Sequence, residues 1–185
     1  MTQSGLLAFA RRVHRFEDRE TALELVVDEV QSATGAAWVA AYTRDTAGGG
    51  FSRSAAAGEV PFATPDRVDE NDSVLGALRA ACDAIDAPKS SVLAGTVVLP
   101  FVTADGIVGL LDVGPALKPY SEAVRGALAA VGNAVGLALA ILDGRSMRRD
   151  LERWRDRAKL AEGELTVLHH ALAGASRAAA WYSEG

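Results

Sequence analysis

Few residues in this sequence carry chemistry that stands out from an apolar background, and Asp112 is the foremost of them. It lies in the segment LLDVG, between Leu111 and Val113. A carboxylate among apolar neighbours costs free energy when it is buried, unless a partner or a ligand binds it. An edge position in a sheet or a nearby arginine would also satisfy it. Asp112 is therefore a candidate ligand-binding residue, but its presence does not require a ligand.

The sulfur and imidazole chemistry of the chain is sparse. Cys82 is the only cysteine, so the chain can form neither an intramolecular disulfide nor a CxxC-type zinc site. Its place on an apolar helical stripe with Leu75 and Leu78 predicts a buried structural thiol. No P-loop, GxSxG, HExxH or GxGxxG motif occurs in a suitable context. The sequence therefore predicts neither an enzyme nor a metal site.

Composition excludes several further classes of function. The net charge is −5, which gives no electrostatic reason to expect nucleic acid or an anionic membrane as a partner. No segment approaches the ~18 uninterrupted apolar residues of a membrane span, and the first twenty residues lack the apolar core of a signal peptide. A single cysteine is typical of a reducing compartment, so we expect a cytoplasmic protein.

The elements that must position these residues alternate along the chain. A helix is predicted over 4–17, and a second helix begins at its N-cap Asp18 and ends at Gly35. Strands follow over 36–43 and 51–57. A short helix begins near residue 71 or 72, an apolar hairpin spans 95–114, and a long helix begins after the N-cap Ser121. This order predicts an α+β fold with helices at the two ends of the sequence.

The hairpin is apolar on both of its faces. If Asp105 and Gly106 form the turn, Phe101 pairs with Leu110 and Leu99 pairs with Asp112. Antiparallel hairpins usually leave one face in water, so this pattern predicts a sheet that is covered on both sides. An enclosed space beside such a sheet is typical of a ligand-binding or sensory module.

The order of elements and three quoted segments resemble the GAF domain, over roughly residues 4 to 142. The segments are the end of the helix pair with the first strand, the hairpin and the closing helix: ATGAAWVAAYTRD, VVLPFVTADGIVGLLDVG and YSEAVRGALAAVGNAVGLALA. The PAS domain, which has a related sheet, is the second choice. A GAF fold implies a six-stranded antiparallel sheet, with the first and last helices on one face and a small-molecule pocket on the other. On this resemblance Gly109 would let the closing helix, with Gly132 and Gly136, approach the sheet.

The residues expected on the pocket side are apolar apart from Asp112. The first strand contributes either Trp38, Ala40 and Tyr42 or Val39 and Ala41, and we predict the aromatic set. The alternative is that all of these side chains simply fill a core. The candidate pocket residues are Trp38, Tyr42, Leu78, Cys82, Leu99, Phe101, Leu110 and Asp112.

The cofactors known for GAF domains are not supported by this sequence. Cyclic-nucleotide-binding members carry Asn-Lys after the last hairpin strand, where this chain has Gly114 and Pro115. Bilin-binding members use a cysteine often followed by histidine, but Asp83 follows Cys82. Haem-binding members use a pocket histidine, whereas the three histidines of this chain fall on outer helices. The methionine sulfoxide reductases of this fold need a resolving cysteine pair. The ligand therefore stays unknown.

The C-terminal segment, 144–185, follows a sensory domain predicted over 1–143 and carries a heptad repeat. In a parallel, in-register dimer, the residues flanking its apolar seam would pair Asp143 with Arg148, Asp150 with Arg155, Arg157 with Glu162 and Glu164 with His169. A helix that folds back on its own domain is the alternative. The predicted interface residues are Met147, Leu151, Trp154, Ala158, Leu165, Leu168 and Leu172.

These observations predict a non-enzymatic sensory domain that dimerises and couples a small molecule to an output domain or a partner protein. One alternative is a ligand-free dimerisation or scaffold module. Another is the sensor fragment of a histidine kinase or a transcriptional regulator. His170 lies where a phosphoacceptor histidine could sit, but the arginine and asparagine expected after it are replaced by Ala171, Leu172 and Gly174. A surface histidine is the better interpretation.

Overall fold

The computed structural model describes residues 3–13, 16–45 and 49–183, with side chains as far as residue 160. Its four helices are α1 (Gln3–Ala10), α2 (Arg19–Thr34), α3 (Ser73–Ala81) and α4 (Glu122–Ser183). Its six strands are β1 (Trp38–Arg44), β2 (Gly50–Gly58), β3 (Arg67–Asp69), β4 (Ile85–Asp86), β5 (Val97–Thr103) and β6 (Gly106–Val113). The described chain divides into two compact units, one ending at Leu142 and the other beginning at Asp143.

The strands form one antiparallel sheet in the order β3-β2-β1-β6-β5-β4. The predicted α+β class, with a six-stranded antiparallel sheet, is confirmed. Of the six strands, β3 and β4 were not located in the sequence, because runs of two or three residues carry too little alternation to be recognised.

Local capping explains where the helices begin and end. The Thr21 N–H donates to the Asp18 carboxylate at 2.8 Å, and Gly35 closes α2 with φ 67° and donates to the Gln31 carbonyl. At the start of α3, the Val74 N–H donates to Asp72. The helix predicted over 4–17 is shorter, because α1 ends at Ala10 and a turn follows it.

The two faces of the sheet carry separate apolar cores. On one face α1, α2 and α4 pack on β-strand residues, among which Leu99, Phe101 and Leu111 are fully buried. On the other face α3 packs Leu75 and Leu78 on a cluster of sheet residues: Trp38, Ala40, Tyr42, Phe51, Val98 and Leu110. The sheet is therefore covered on both sides, as its double apolar pattern predicts.

The pairing of the hairpin differs from the predicted one. Thr103 pairs with Gly106, so the two turn residues are Ala104 and Asp105. Gly106 instead begins β6 with φ 108°, a conformation that favours glycine. A bulge between Phe101 and Val102 then shifts the register again.

This shift moves two predicted pocket residues to the other face. Leu99 pairs with Leu111 and Phe101 pairs with Gly109, so both Leu99 and Phe101 face the terminal helices. A one-residue change of register exchanges the faces of one strand relative to its partner. The placement of Leu99 and Phe101 on the pocket side is therefore wrong.

Close approach of α4 to the sheet depends on Gly132 and Gly136. A Cβ at Gly132 would lie 2.7 Å from the Pro100 carbonyl oxygen, and one at Gly136 would lie 2.4 Å from that of Val102. Gly109 has a different role from the predicted one, because a Cβ there would lie 2.6 Å from the Tyr42 carbonyl oxygen and 2.7 Å from the Phe101 ring. It makes room for its two neighbouring strands rather than for the helix.

The first part of α4 contains a strongly apolar stretch. By length and composition alone, the segment Glu122–Leu160 could cross a membrane, with a mean hydropathy of 1.7 in its most apolar stretch. Half of that stretch is buried, including Leu128, Val131 and Leu139. A helix that packs on a sheet is rich in apolar residues because one of its sides is buried, and the apolar composition of α4 accords with this.

Candidate functional site

A cavity of about 360 Å³ opens where β1 and β6 meet two loops. One loop precedes β3 and contains Pro61 and Pro65, and the other precedes β5 and contains Val92 and Thr96. The cavity is lined by Trp38, Pro61, Ala63, Thr64, Pro65, Val92, Leu93, Ala94, Gly95, Thr96, Asp112 and Pro115.

Hydrogen bonds hold both loops in place. The Tyr42 hydroxyl donates to the Pro65 carbonyl oxygen at 2.8 Å, which ties the first loop to β1. In the second loop the Val92 N–H donates to Asp72 Oδ2 at 3.1 Å, and the Thr96 hydroxyl donates to the Leu93 carbonyl oxygen at 2.8 Å. The cavity walls are therefore anchored to the sheet and to the start of α3.

Trp38 forms one wall of the cavity and requires a glycine beside it. A Cβ at Gly114 would lie 2.7 Å from the Trp38 indole Nε1. The indole is 5% exposed, so most of its surface is packed. Gly114 thus allows the chain leaving β6 to pass directly against the ring.

Asp112 is the charged group of the cavity and has no exposed surface. It pairs with Ala40 on β1 and with Val98 on β5, and neither side chain can donate a hydrogen bond. Within the described part of the chain, neither carboxyl oxygen has a hydrogen-bond partner. Asp112 is therefore a buried acceptor group whose hydrogen-bonding capacity is unused.

Burial changes the acidity of this carboxyl group. Loss of hydration raises the pKa of Asp112 from 3.8 to about 7. The nearby Thr96 hydroxyl opposes this rise, although its proton is directed to the Leu93 carbonyl oxygen. Burial and the charge of Asp112 also raise the pKa of the Tyr42 hydroxyl above its ordinary value. Tyr42 therefore stays neutral while Asp112 titrates.

The structure brings only part of the predicted pocket set to the cavity. Trp38 and Asp112 line it. Tyr42, Leu78 and Leu110 lie on the same side of the sheet but are packed in the core beneath α3. The space between the sheet and α3 is thus filled by side chains, as the core-filling alternative predicts, and the cavity lies beside it.

The prediction for Cys82 is wrong. Its backbone has φ 52°, in the left-handed region, where it caps α3 and leaves the side chain exposed. The apolar stripe ends at Leu78 because the helix ends at Ala81. Cys82 is therefore not a buried structural thiol.

The loop residues of the cavity were not identified from the sequence. Pro61, Pro65, Val92, Thr96 and Pro115 lie in loops, and loops carry no periodicity that would bring them together. The prolines were the one sequence feature that indicated ordered loops here, since proline marks rigid turns. In the described residues, no group of three or more His, Cys, Asp or Glu side chains could hold a metal ion.

The predicted dimer residues that the structure describes are exposed. Met147, Leu151 and Trp154 are 64–68% exposed, and Ala158 is exposed as well. Leu165, Leu168 and Leu172 lie beyond the residues whose side chains the structure describes, and so do the pairs that involve Glu162, Glu164 and His169. The coiled coil stays a prediction.

Comparison with known proteins identifies the fold. No protein-family model and no curated protein sequence matches the chain. Among solved structures, the GAF domain of Acinetobacter phosphoenolpyruvate-protein phosphotransferase is 14% identical, with a TM-score of 0.62 over 76% of this chain and 93% of that one. The second GAF domain of DevS from Mycobacterium smegmatis is 19% identical, with a TM-score of 0.56 over 71% and 99%.

An enzyme is also among the similar structures. The free methionine-R-sulfoxide reductase from Neisseria meningitidis, solved in complex with its substrate, is 17% identical, with a TM-score of 0.62 over 76% of this chain and 89% of that one. At these identities the likeness concerns the fold alone. The chain has a GAF-like fold.

Proposed function

We propose that this chain is a non-enzymatic sensory domain that binds a small molecule in the cavity beside Asp112. The domain dimerises through α4, and ligand binding is communicated through this helix to an output domain or a partner protein. A cytoplasmic location accords with its single cysteine.

The observation that supports ligand binding is the state of Asp112. A buried carboxyl group without a partner in the described chain destabilises the fold, and such groups are typical of functional sites. A scaffold module whose pocket had collapsed would gain stability by placing an apolar residue there. Asp112 is among the residues that line the cavity, so a ligand bound there would lie close to the carboxyl group.

The non-enzymatic assignment is based on the residues of this chain. The polar side chains that line the cavity are those of Thr64, Thr96 and Asp112. The hydroxyl of Thr96 donates to the Leu93 carbonyl oxygen rather than to Asp112, and neither histidine nor cysteine is among the described lining residues. A single cysteine also cannot supply the resolving pair that the reductases of this fold need.

The proposed route to an output is the helix that closes the domain. The first part of α4 packs on β5 through Gly132 and Gly136, so a shift of this strand acts directly on the helix. The exposed apolar side chains of Met147, Leu151 and Trp154 on the same helix are suited to a second copy. In a dimer, a change in the position of α4 would then be transmitted to the output domain or the partner protein.

Native mass spectrometry of the protein purified from its own host tests this function. We expect a mass increment from a small molecule, lost on denaturation and absent when Asp112 is replaced by Leu. Hydrogen exchange of the ligand-bound and ligand-stripped protein should then differ in β5 and α4. If no small molecule co-purifies and host metabolite extracts leave the melting temperature unchanged, the scaffold alternative replaces the sensor.

A further inference from the structure

The chemistry of the cavity restricts its ligand by charge. A carboxylate accepts hydrogen bonds at both oxygens and donates none, and here both oxygens of Asp112 lack a donor within the described chain. Hydrogen bonds between a carboxylate and a cationic N–H are shorter and about twice as strong as neutral ones. A cation with N–H groups would therefore satisfy both oxygens and neutralise the buried charge.

The other lining residues do not favour an anion. None of the described residues that line the cavity is basic, so an anionic ligand would face Asp112 without compensation. Arg53, whose charge acts on Tyr42, is ion-paired with Asp66 and is not among the described residues that line the cavity. The electrostatic preference of the cavity is therefore set by Asp112.

The remaining walls indicate the body of the ligand. Trp38, Pro61, Pro65, Val92 and Pro115 line the same cavity as Asp112 and contribute apolar surface to it. The volume of about 360 Å³ lies near the lower end of the range for small-molecule sites. An apolar cavity of this volume fits a compact ring or a short aliphatic chain.

We propose that the cavity selects a small organic cation, with an amine, amidine or guanidine group bound at Asp112 and an apolar body against Trp38. This assignment rests on the proposed sensory function and specifies the ligand class of that site. An amidine or guanidine group would donate to both carboxyl oxygens at once, whereas a primary amine would donate to them in turn or through one shared proton.

The geometry also makes binding dependent on pH. Asp112 must ionise to bind a cation, so affinity should rise between pH 6 and pH 8. The titratable group on β1 that interacts electrostatically with Asp112 is Tyr42, which pairs with Leu110 and stays neutral over this range. The facing positions on β1 and β5, Ala40 and Val98, do not ionise.

Three probes of one shape and different charge test the assignment on the full chain. Benzamidine is a cation, benzamide is neutral and benzoate is an anion at pH 8. By isothermal titration calorimetry we expect benzamidine to bind at least about tenfold more tightly than benzamide, because charged hydrogen bonds are the stronger ones. Benzoate should not bind. The preference for benzamidine should weaken at pH 6.

Two variants test whether Asp112 causes the preference for benzamidine over benzamide. Asp112→Asn keeps the shape of the side chain and should abolish the difference between benzamidine and benzamide. Asp105→Asn, the same change at an exposed turn residue, should keep it. If Asp112→Asn fails to fold, the comparison of the three probes on the unaltered protein still decides.

Two results would overturn the cation assignment. Equal binding of benzamidine and benzamide, or a preference that survives Asp112→Asn, would remove Asp112 as the selector and leave the sensory cavity standing. The assignment would also be rejected if none of the three probes binds at about 10 mM. This concentration is on the order of the weakest dissociation constants worth measuring. Co-purification of a small molecule decides the sensory function independently.

Discussion

At the scale of single residues, the fold keeps a costly group in its interior. The rise in the pKa of Asp112 from 3.8 to about 7 corresponds to about 4 kcal/mol against the ionised form at neutral pH. Because the group has no exposed surface, solvent does not reduce this cost. The proposed cation would recover part of this free energy on binding.

Stability should therefore fall as the pH rises, in contrast to the behaviour of most carboxyl groups. Between pH 4 and pH 7 the unfolded chain loses the proton of Asp112 while the folded chain retains it. The unfolded state then binds fewer protons, so the free energy of unfolding decreases with pH. The contribution is complete below pH 4 and is lost as the pH passes about 7.

Replacing Asp112 by Asn removes this dependence. An unpartnered amide still costs about 1–3 kcal/mol, so we expect Asp112→Asn to raise the free energy of unfolding by about 1–3 kcal/mol at pH 8. The gain should vanish near pH 4, where both side chains are neutral. Urea denaturation between pH 4 and pH 8 measures the difference, with Asp105→Asn as the exposed control. Parallel curves for the unaltered protein and Asp112→Asn would contradict the burial of an ionisable Asp112.

At the scale of elements, the contact of α4 with β5 fixes the position of the closing helix. Gly132 and Gly136 lie against backbone atoms of Pro100 and Val102, which cannot move aside as a flexible side chain can. The bulge at Val102 is part of the same contact, because it sets which carbonyl meets Gly136. The register of β5 and the position of the helix are therefore linked.

A methyl group at Gly136 should separate the two elements. Its Cβ would lie 2.4 Å from the Val102 carbonyl oxygen, so we expect Gly136→Ala to lower the free energy of unfolding by about 1–3 kcal/mol. Gly126 is the matched control, since a Cβ there meets nothing within 4 Å. Gly126→Ala should raise stability by about 0.5–1 kcal/mol, because alanine favours helix. Equal effects of the two changes in urea denaturation would contradict the close contact.

At the scale of the whole molecule, the second unit has apolar side chains with no cover in the described chain. Met147, Leu151 and Trp154 are each more than 60% exposed. Arg148 pairs with Glu152 and Asp150 with Arg153 along the helix, at 3.8 and 3.4 Å, and such exposed pairs contribute less than about 1 kcal/mol each. The driving force for dimerisation would thus come from the apolar seam, and the charges would set its register.

A variant of the seam tests this assignment. Leu151→Lys combined with Trp154→Lys should convert a dimer, with twice the mass of one chain, into a monomer, because two charges would be buried in the seam. The control, Glu152→Gln with Asp156→Asn, adds the same net charge away from the seam and should leave the dimer intact. Light scattering after size exclusion gives the mass. A seam variant of unchanged mass would refute dimerisation through these residues.

The sequence alone determined the features that depend on neighbouring residues and on periodicity. Asp18 and Asp72 begin α2 and α3 because their carboxylates accept a hydrogen bond from a backbone N–H of the first turn. Gly35 ends α2 because glycine readily adopts the left-handed backbone conformation. The double apolar pattern of the hairpin gave a sheet covered on both faces, and the order of elements gave the fold. The same local reading marked Asp112 as a carboxylate in need of a partner.

Only the tertiary structure decided how these elements face one another. The register of the hairpin depended on one bulge, which sent Leu99 and Phe101 to the helix side because strand faces alternate with every residue. The exposure of Cys82 depended on α3 ending at Ala81, before the helix could place Cys82 on its apolar stripe. That Asp112 meets Ala40, Val98 and an open cavity follows from strands and loops distant in sequence, which no local pattern brings together.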